Sequence, residues 1–102
     1  MKVKAKFDND NNKVEVKLLI KHPMSTGLQK DKNNGDLIPA KFIQELSCMH
    51  GDKLVFLANF GRAVSKDPYL AFSFSGAKAG DTLILKWFDN LGENEEKEVV
   101  IK

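Results

Sequence analysis

Lys13-Val14-Glu15-Val16-Lys17-Leu18-Leu19-Ile20 sets Val14, Val16, Leu18 and Ile20 at every second position, with Lys13, Glu15 and Lys17 between them. Successive strand side chains point to opposite faces, so this octapeptide predicts a strand with one core face and one water face. The same period runs upstream, where Val3, Ala5 and Phe7 alternate with Lys2, Lys4 and Lys6. Lysines on a terminal strand keep it soluble and discourage edge-to-edge pairing. Between the two strands, Asp8-Asn9-Asp10-Asn11-Asn12 is a dense turn signal, because Asn and Asp bond their own backbone and tolerate left-handed conformations.

Period two continues toward the C-terminus. Residues 42–49 read as a third strand with a weaker pattern, and His50-Gly51-Asp52 turns it into Leu54, Phe56, Ala58 and Phe60. Residues 61–68 form a loop, and Leu70, Phe72 and Phe74 follow on alternate positions. Gly76-Ala77-Lys78-Ala79-Gly80-Asp81 is a turn before Leu83, Leu85 and Trp87. Asp89-Asn90-Leu91-Gly92 turns the chain again, and residues 99–101 close the domain. No segment carries a helical period. About seven short strands spaced by roughly ten residues predict an all-β fold, an immunoglobulin-like antiparallel β-sandwich.

The 102 residues suit one domain spanning 1–102. Hydrophobic residues at 42% and charged residues at 29% are ordinary for a folded core, which argues against disorder. Sixteen Lys+Arg against fourteen Asp+Glu leave a net charge of +2, too balanced for a nucleic-acid or membrane binder. No apolar run approaches the ~18 residues of a membrane helix. One cysteine, Cys48, excludes the internal disulfide of antibody domains. Residues 1–7 lack the apolar segment of a secretory signal, which taken alone suggests the cytoplasm.

Residues 21–40 form the longest stretch without periodicity, and loops of that length in small domains are often functional. Asn34-Gly35, between Asp31-Lys32 and Asp36-Leu37, could close a small hairpin inside it. Phosphate-loop, zinc-protease, nucleophile-elbow and paired-cysteine motifs are missing, so no catalytic residue is assigned. The sharpest local constellation is Cys48-Met49-His50, with His22 and Met24 on the long loop. These are soft ligands, and a small redox metalloprotein of copper or iron using His22, Cys48 and His50 is the alternative reading. Cupredoxin-like sites place His and Met shortly after the Cys near the chain's end, an order this sequence lacks, so no metal ligand set is assigned. A Cys48/His50 dyad would share a strand face, but a reactive thiolate needs electropositive, partly exposed surroundings.

Two strands are apolar on both faces. Val55 and Leu57 stand opposite Leu54, Phe56 and Ala58, and Ile84 and Phe88 stand opposite Leu83, Leu85 and Trp87. A second apolar face implies another layer, often another subunit, so Val55, Leu57, Ile84 and Phe88 are the expected subunit face.

The loops carry a more specific pattern. Ile20-Lys21-His22-Pro23-Met24, Thr26-Gly27-Leu28, Lys30-Asp31, Leu37-Ile38-Pro39-Ala40 and Phe42-Ile43-Gln44-Glu45 resemble the SoxZ family of sulfur-oxidation proteins. Gly61, Ala63-Val64-Ser65-Lys66, Pro68-Tyr69-Leu70, residues 76–81 and Trp87-Phe88-Asp89-Asn90 extend the resemblance over nearly the whole chain. It implies an immunoglobulin-like, non-catalytic subunit without a cofactor, paired with SoxY as a heterodimer. SoxY carries sulfur intermediates of thiosulfate oxidation on a cysteine in a flexible, glycine-rich arm that visits the other sulfur-oxidation enzymes. Glu98-Val99-Val100-Ile101-Lys102 has neither glycine nor cysteine and cannot be that arm. The resemblance further implies a periplasmic location, reached with a signal-bearing partner. His22, Met24, Val64, Ser65 and Tyr69 would shape loops presented to SoxY or to the visiting enzymes. The isolated chain could form a homodimer through the face meant for SoxY. No role passes to Cys48 from the family pattern.

Overall fold

Asp8 closes the first hairpin. Its Oδ1 accepts from the Asp10 and Asn11 amides, and its Oδ2 accepts from Asn11 Nδ2 at 2.8 Å. This side-chain turn lets β1 (Lys2–Asp8) fold back on β2 (Lys13–Leu19) in the register Ala5 opposite Val16. The structure is a computed structural model that describes every residue except Thr26, Gln29, Asp31, Lys32, Asn34, Ile38, Arg62, Ala63 and Ser65. The remaining strands are β3 (Ile43–His50), β4 (Lys53–Asn59), β5 (Tyr69–Phe74), β6 (Thr82–Asp89) and β7 (Asn94–Val100). They form two antiparallel sheets, of order β1-β2-β5 and β4-β3-β6-β7, with no helix among the described residues. This is the expected all-β sandwich of seven strands.

The alternating apolar residues meet between the sheets. Val14, Val16 and Leu18 from β2 face Leu46 and Cys48 from β3 and Leu83 and Leu85 from β6, all essentially without solvent contact. Each such aliphatic side chain stabilises the fold by about 1.5–3 kcal/mol relative to exposure. Phe56 on β4 stacks on Phe72 on β5, with centroids 4.0 Å apart and planes 4° from parallel, and ties the two sheets together on that side. On the other side, Lys102 N donates to Ala5 O and Lys102 O accepts from Phe7 N, so the residues after β7 bridge to β1.

Two features depart from the sequence reading, and a third accounts for part of it. The seventh strand begins at Asn94 rather than near Val99. Its inward positions Glu95 and Lys97 are polar because β7 is a sheet edge, where Glu95 accepts from Trp87 Nε1 and Lys97 Nζ donates to Met1 O. Second, β4 contains a bulge. Met49 pairs with Leu54 and Cys48 with Phe56, which leaves Val55 as the extra residue. Leu54 therefore does not share the inner face of Phe56 and Ala58. It lies on the outer face with Leu57, while Val55 is half-buried and packs against the core. Third, the ladder between β3 and β6 shifts between Ile43 and Glu45, which explains the weak alternation expected over 42–49.

Candidate functional site

Side chains of directly paired residues share a sheet face, so the register defines the outer surface of the four-stranded sheet. One row across it is Leu54, Met49, Ile84 and Glu98; the next is Leu57, Ser47, Lys86 and Glu96; the third is Asn59, Glu45, Phe88 and Asn94. Leu54 at 48%, Leu57 at 46%, Ile84 at 38% and Phe88 at 37% keep substantial exposure, and Val100 lies one row further along β7. Of the four residues expected on this face, Leu57, Ile84 and Phe88 share it. Val55 is displaced by the bulge, and Leu54 takes its place.

A second constellation lies at the end of β6. Asp89, buried, accepts from His22 Nε2 on Oδ2 at 3.0 Å and from the Leu91 and Glu93 amides on Oδ1 at 2.9 Å each. His22 is 3% exposed, and its Nδ1 accepts from Met24 N at 3.2 Å. Because Nδ1 accepts, these partners assign the ring proton to Nε2. The imidazole meets Trp87 edge to face, centroids 5.3 Å apart. Burial pushes the Asp89 carboxyl upward, but the bonds from His22, Glu93 and Leu91 outweigh it and hold the group below the usual carboxylate range.

The same turn fastens the long loop. Asn90 Oδ1 accepts from Phe42 N, and Asn90 Nδ2 donates to Ala40 O. Met24, buried with a left-handed φ of +49°, accepts from Ile43 N on its sulfur. Gly27 has a φ of +85°, and a Cβ there would lie 3.1 Å from Ala40 Cβ, so the Thr26-Gly27 glycine is required by both backbone and packing. Asp67 accepts from His22 N on Oδ1 and donates its amide to His22 O, which links the 61–68 loop to the same centre. An isolated bridge between Lys30 and Leu37 brackets the expected Asn34-Gly35 turn, of which Asn34 lies outside the described residues.

His22 and Met24 thus shape their loop from within, since neither has a surface to offer a partner. Val64 is half-buried against the core, and Tyr69 is 60% exposed on the outer face of the three-stranded sheet. Ser65 lies outside the described residues. Asp67, Asp89 and Asn90 were absent from the sequence-derived candidates. The Asp89-Asn90-Leu91-Gly92 turn was the signal available for two of them.

The structure separates the proposed metal ligands. His50 Nε2 pairs with Asp81 at 3.0 Å before β6, whereas His22 pairs with Asp89 at its end. Eight residues of extended strand span about 26 Å, so the two imidazoles cannot share an ion. Cys48 faces the core, and burial pushes its thiol up to about 11, away from nucleophilic chemistry at neutral pH. Among the described residues, no group of three or more His, Cys, Asp or Glu is placed to hold a metal.

A family model described as the sulphur oxidation protein SoxZ matches residues 1–100. The chain belongs to the SoxZ family. A search of curated proteins finds no match. The family places this chain in sulfur oxidation. Its most specific stretches have physical roles in this SoxZ chain. His22, Met24, Asp89 and Asn90 interlock the long loop with the β6–β7 turn, and Pro68 precedes the strand that presents Tyr69.

Proposed function

We propose that this SoxZ-family chain is the non-catalytic half of a sulfur-carrier complex and binds a SoxY-type chain through the outer face of its four-stranded sheet. The observation that carries this reading is the set Leu54, Leu57, Ile84 and Phe88, apolar and exposed on one side of a sheet whose other side is already filled by core. Covering such a face gains about 25 cal/mol per Å² of apolar area, which favours a resident subunit. The partner supplies the reactive sulfur, since Cys48 is sequestered. The complex works in the periplasm, exported with the partner's signal, and the other sulfur-oxidation enzymes act on it transiently. In isolation the same face pairs two copies of this chain.

Co-expression with a SoxY-type chain tests the proposal. A stable heterodimer is expected, and Leu57→Asp with Ile84→Asp should abolish it while the far-UV spectrum stays all-β. Failure of the wild-type chains to co-purify would refute it.

A further inference from the structure

The outer face of the three-stranded sheet is built differently. Its rows are Lys2, Leu19 and Tyr69; Lys4, Lys17 and Ala71; and Lys6, Glu15 and Ser73. Lysines on β1 guard an edge strand, as the sequence suggests. Lys17 cannot be explained that way, because β2 is the central strand and has no free edge. It stands directly opposite Lys4, and like charges at that spacing destabilise a pair. Among the described residues, Lys2, Lys4 and Lys17 enter no ion pair.

The charge is also unevenly distributed. Strands β1 and β2 expose five lysines, Lys2, Lys4, Lys6, Lys13 and Lys17, against the carboxylates of Asp8 and Glu15. From the totals of sixteen and fourteen, the rest of the chain holds eleven Lys+Arg and twelve Asp+Glu. The positive excess therefore belongs to this face alone. A shallow groove of about 490 Å³ runs between Lys2, Lys4, Lys17, Leu19 and Tyr69, so an aromatic ring sits among the ammonium groups.

We infer that this face docks an acidic patch on a protein that visits the carrier complex, on the side away from the apolar face that holds the resident subunit. This rests on the carrier-complex reading. A long polyanion or an anionic bilayer would extend over the rest of the surface, where eleven Lys+Arg against twelve Asp+Glu leave no positive excess to hold it, whereas a compact acidic patch meets only the lysines and Tyr69. A small, charge-led contact speeds encounter and lets the partner leave, which suits a transient visitor.

Lys4→Glu and Lys17→Glu separate docking from stability. Each turns a like-charged pair into an oppositely charged one, so the melting temperature should hold or rise while docking weakens. With the assembled complex as substrate of its companion sulfur-oxidation enzymes, Lys17→Glu should raise the apparent KM about tenfold at about 25 mM salt and leave kcat unchanged. The difference should close at about 250 mM salt, where the Debye length is shorter. Equal KM values for wild type and Lys17→Glu at low salt, with the heterodimer intact, would overturn the inference. If the heterodimer does not form, the carrier reading fails by itself, and the isolated chain still reports on the face. Amide shifts on titration with an oligoglutamate peptide should then cluster on β1, β2 and Tyr69 and disappear in Lys17→Glu. Scattered shifts, or tighter binding of duplex DNA or phosphatidylserine vesicles than of the peptide, would overturn it.

Discussion

His22 Nε2 donates to Asp89 Oδ2 at 3.0 Å, a buried bond between residues 67 positions apart that joins the long loop to the β6–β7 turn. Both imidazole nitrogens are engaged, and the carboxylate takes two further backbone amides. The pair has the look of a catalytic dyad, but burial and full satisfaction make it a clasp.

Removing the carboxylate strands three donors at once. Asp89→Ala should cost about 3–5 kcal/mol in urea denaturation, because each buried unpaired group carries its full desolvation penalty. Asp89→Asn keeps an acceptor for the two amides but can turn its NH₂ toward His22 Nε2–H. Met24 N already occupies the other ring nitrogen, so a loss of about 1–3 kcal/mol is expected. Equal stability of wild type and Asp89→Ala would show that the clasp contributes nothing.

Acid should undo the clasp. The folded Asp89 carboxyl lies below its unfolded value of about 4, so its stabilisation is complete above that value and is lost as pH falls through the lower, folded one. Asp81, bonded by the Lys78 amide and His50, and Glu95, beside the Met1 ammonium and Trp87, are also lowered and act in the same direction. Melting temperatures should stay level above about pH 5 and drop steeply below pH 4, with a shallower acid limb in Asp89→Asn.

Cys48 should behave as a core residue. Its thiol, pushed up to about 11 by burial, should resist a thiol-specific reagent at pH 8 in the native protein and react fully in denaturant. Cys48→Ser places a hydroxyl in the apolar interior and should cost about 1–3 kcal/mol. Rapid labelling of the native chain would contradict this placement.

The apolar outer face should be separable from the core. Leu54→Asp, on the exposed side of the bulge, should change the isolated chain's stability by only about 0.5 kcal/mol, whereas Phe56→Ala, which loses the stack on Phe72, should cost about 3–5 kcal/mol. Comparable losses at both positions would mean that Leu54 lies inside. Analytical ultracentrifugation of Leu54→Asp should also show weaker self-association than wild type.

The amino-acid order alone determined the seven strands, most of their turns and the all-β class, because these depend on period two and on residues such as Asp8 and Gly51 acting on their immediate neighbours. It also carried the loop stretches that mark the SoxZ family, and it marked Leu57, Ile84 and Phe88 as apolar where a single sandwich needs polarity. Only the tertiary structure decided that Val55 is a bulge and Leu54 an outer residue, since a bulge is defined by the partner strand. Only the tertiary structure joined His22 to Asp89 and set Lys17 opposite Lys4, since hydrogen bonds and charges act through space, and sheet pairing sets which residues meet. The near-neutral total charge conceals a basic face for the same reason. Composition adds charges over the chain, whereas a partner meets only those that the fold gathers on one side.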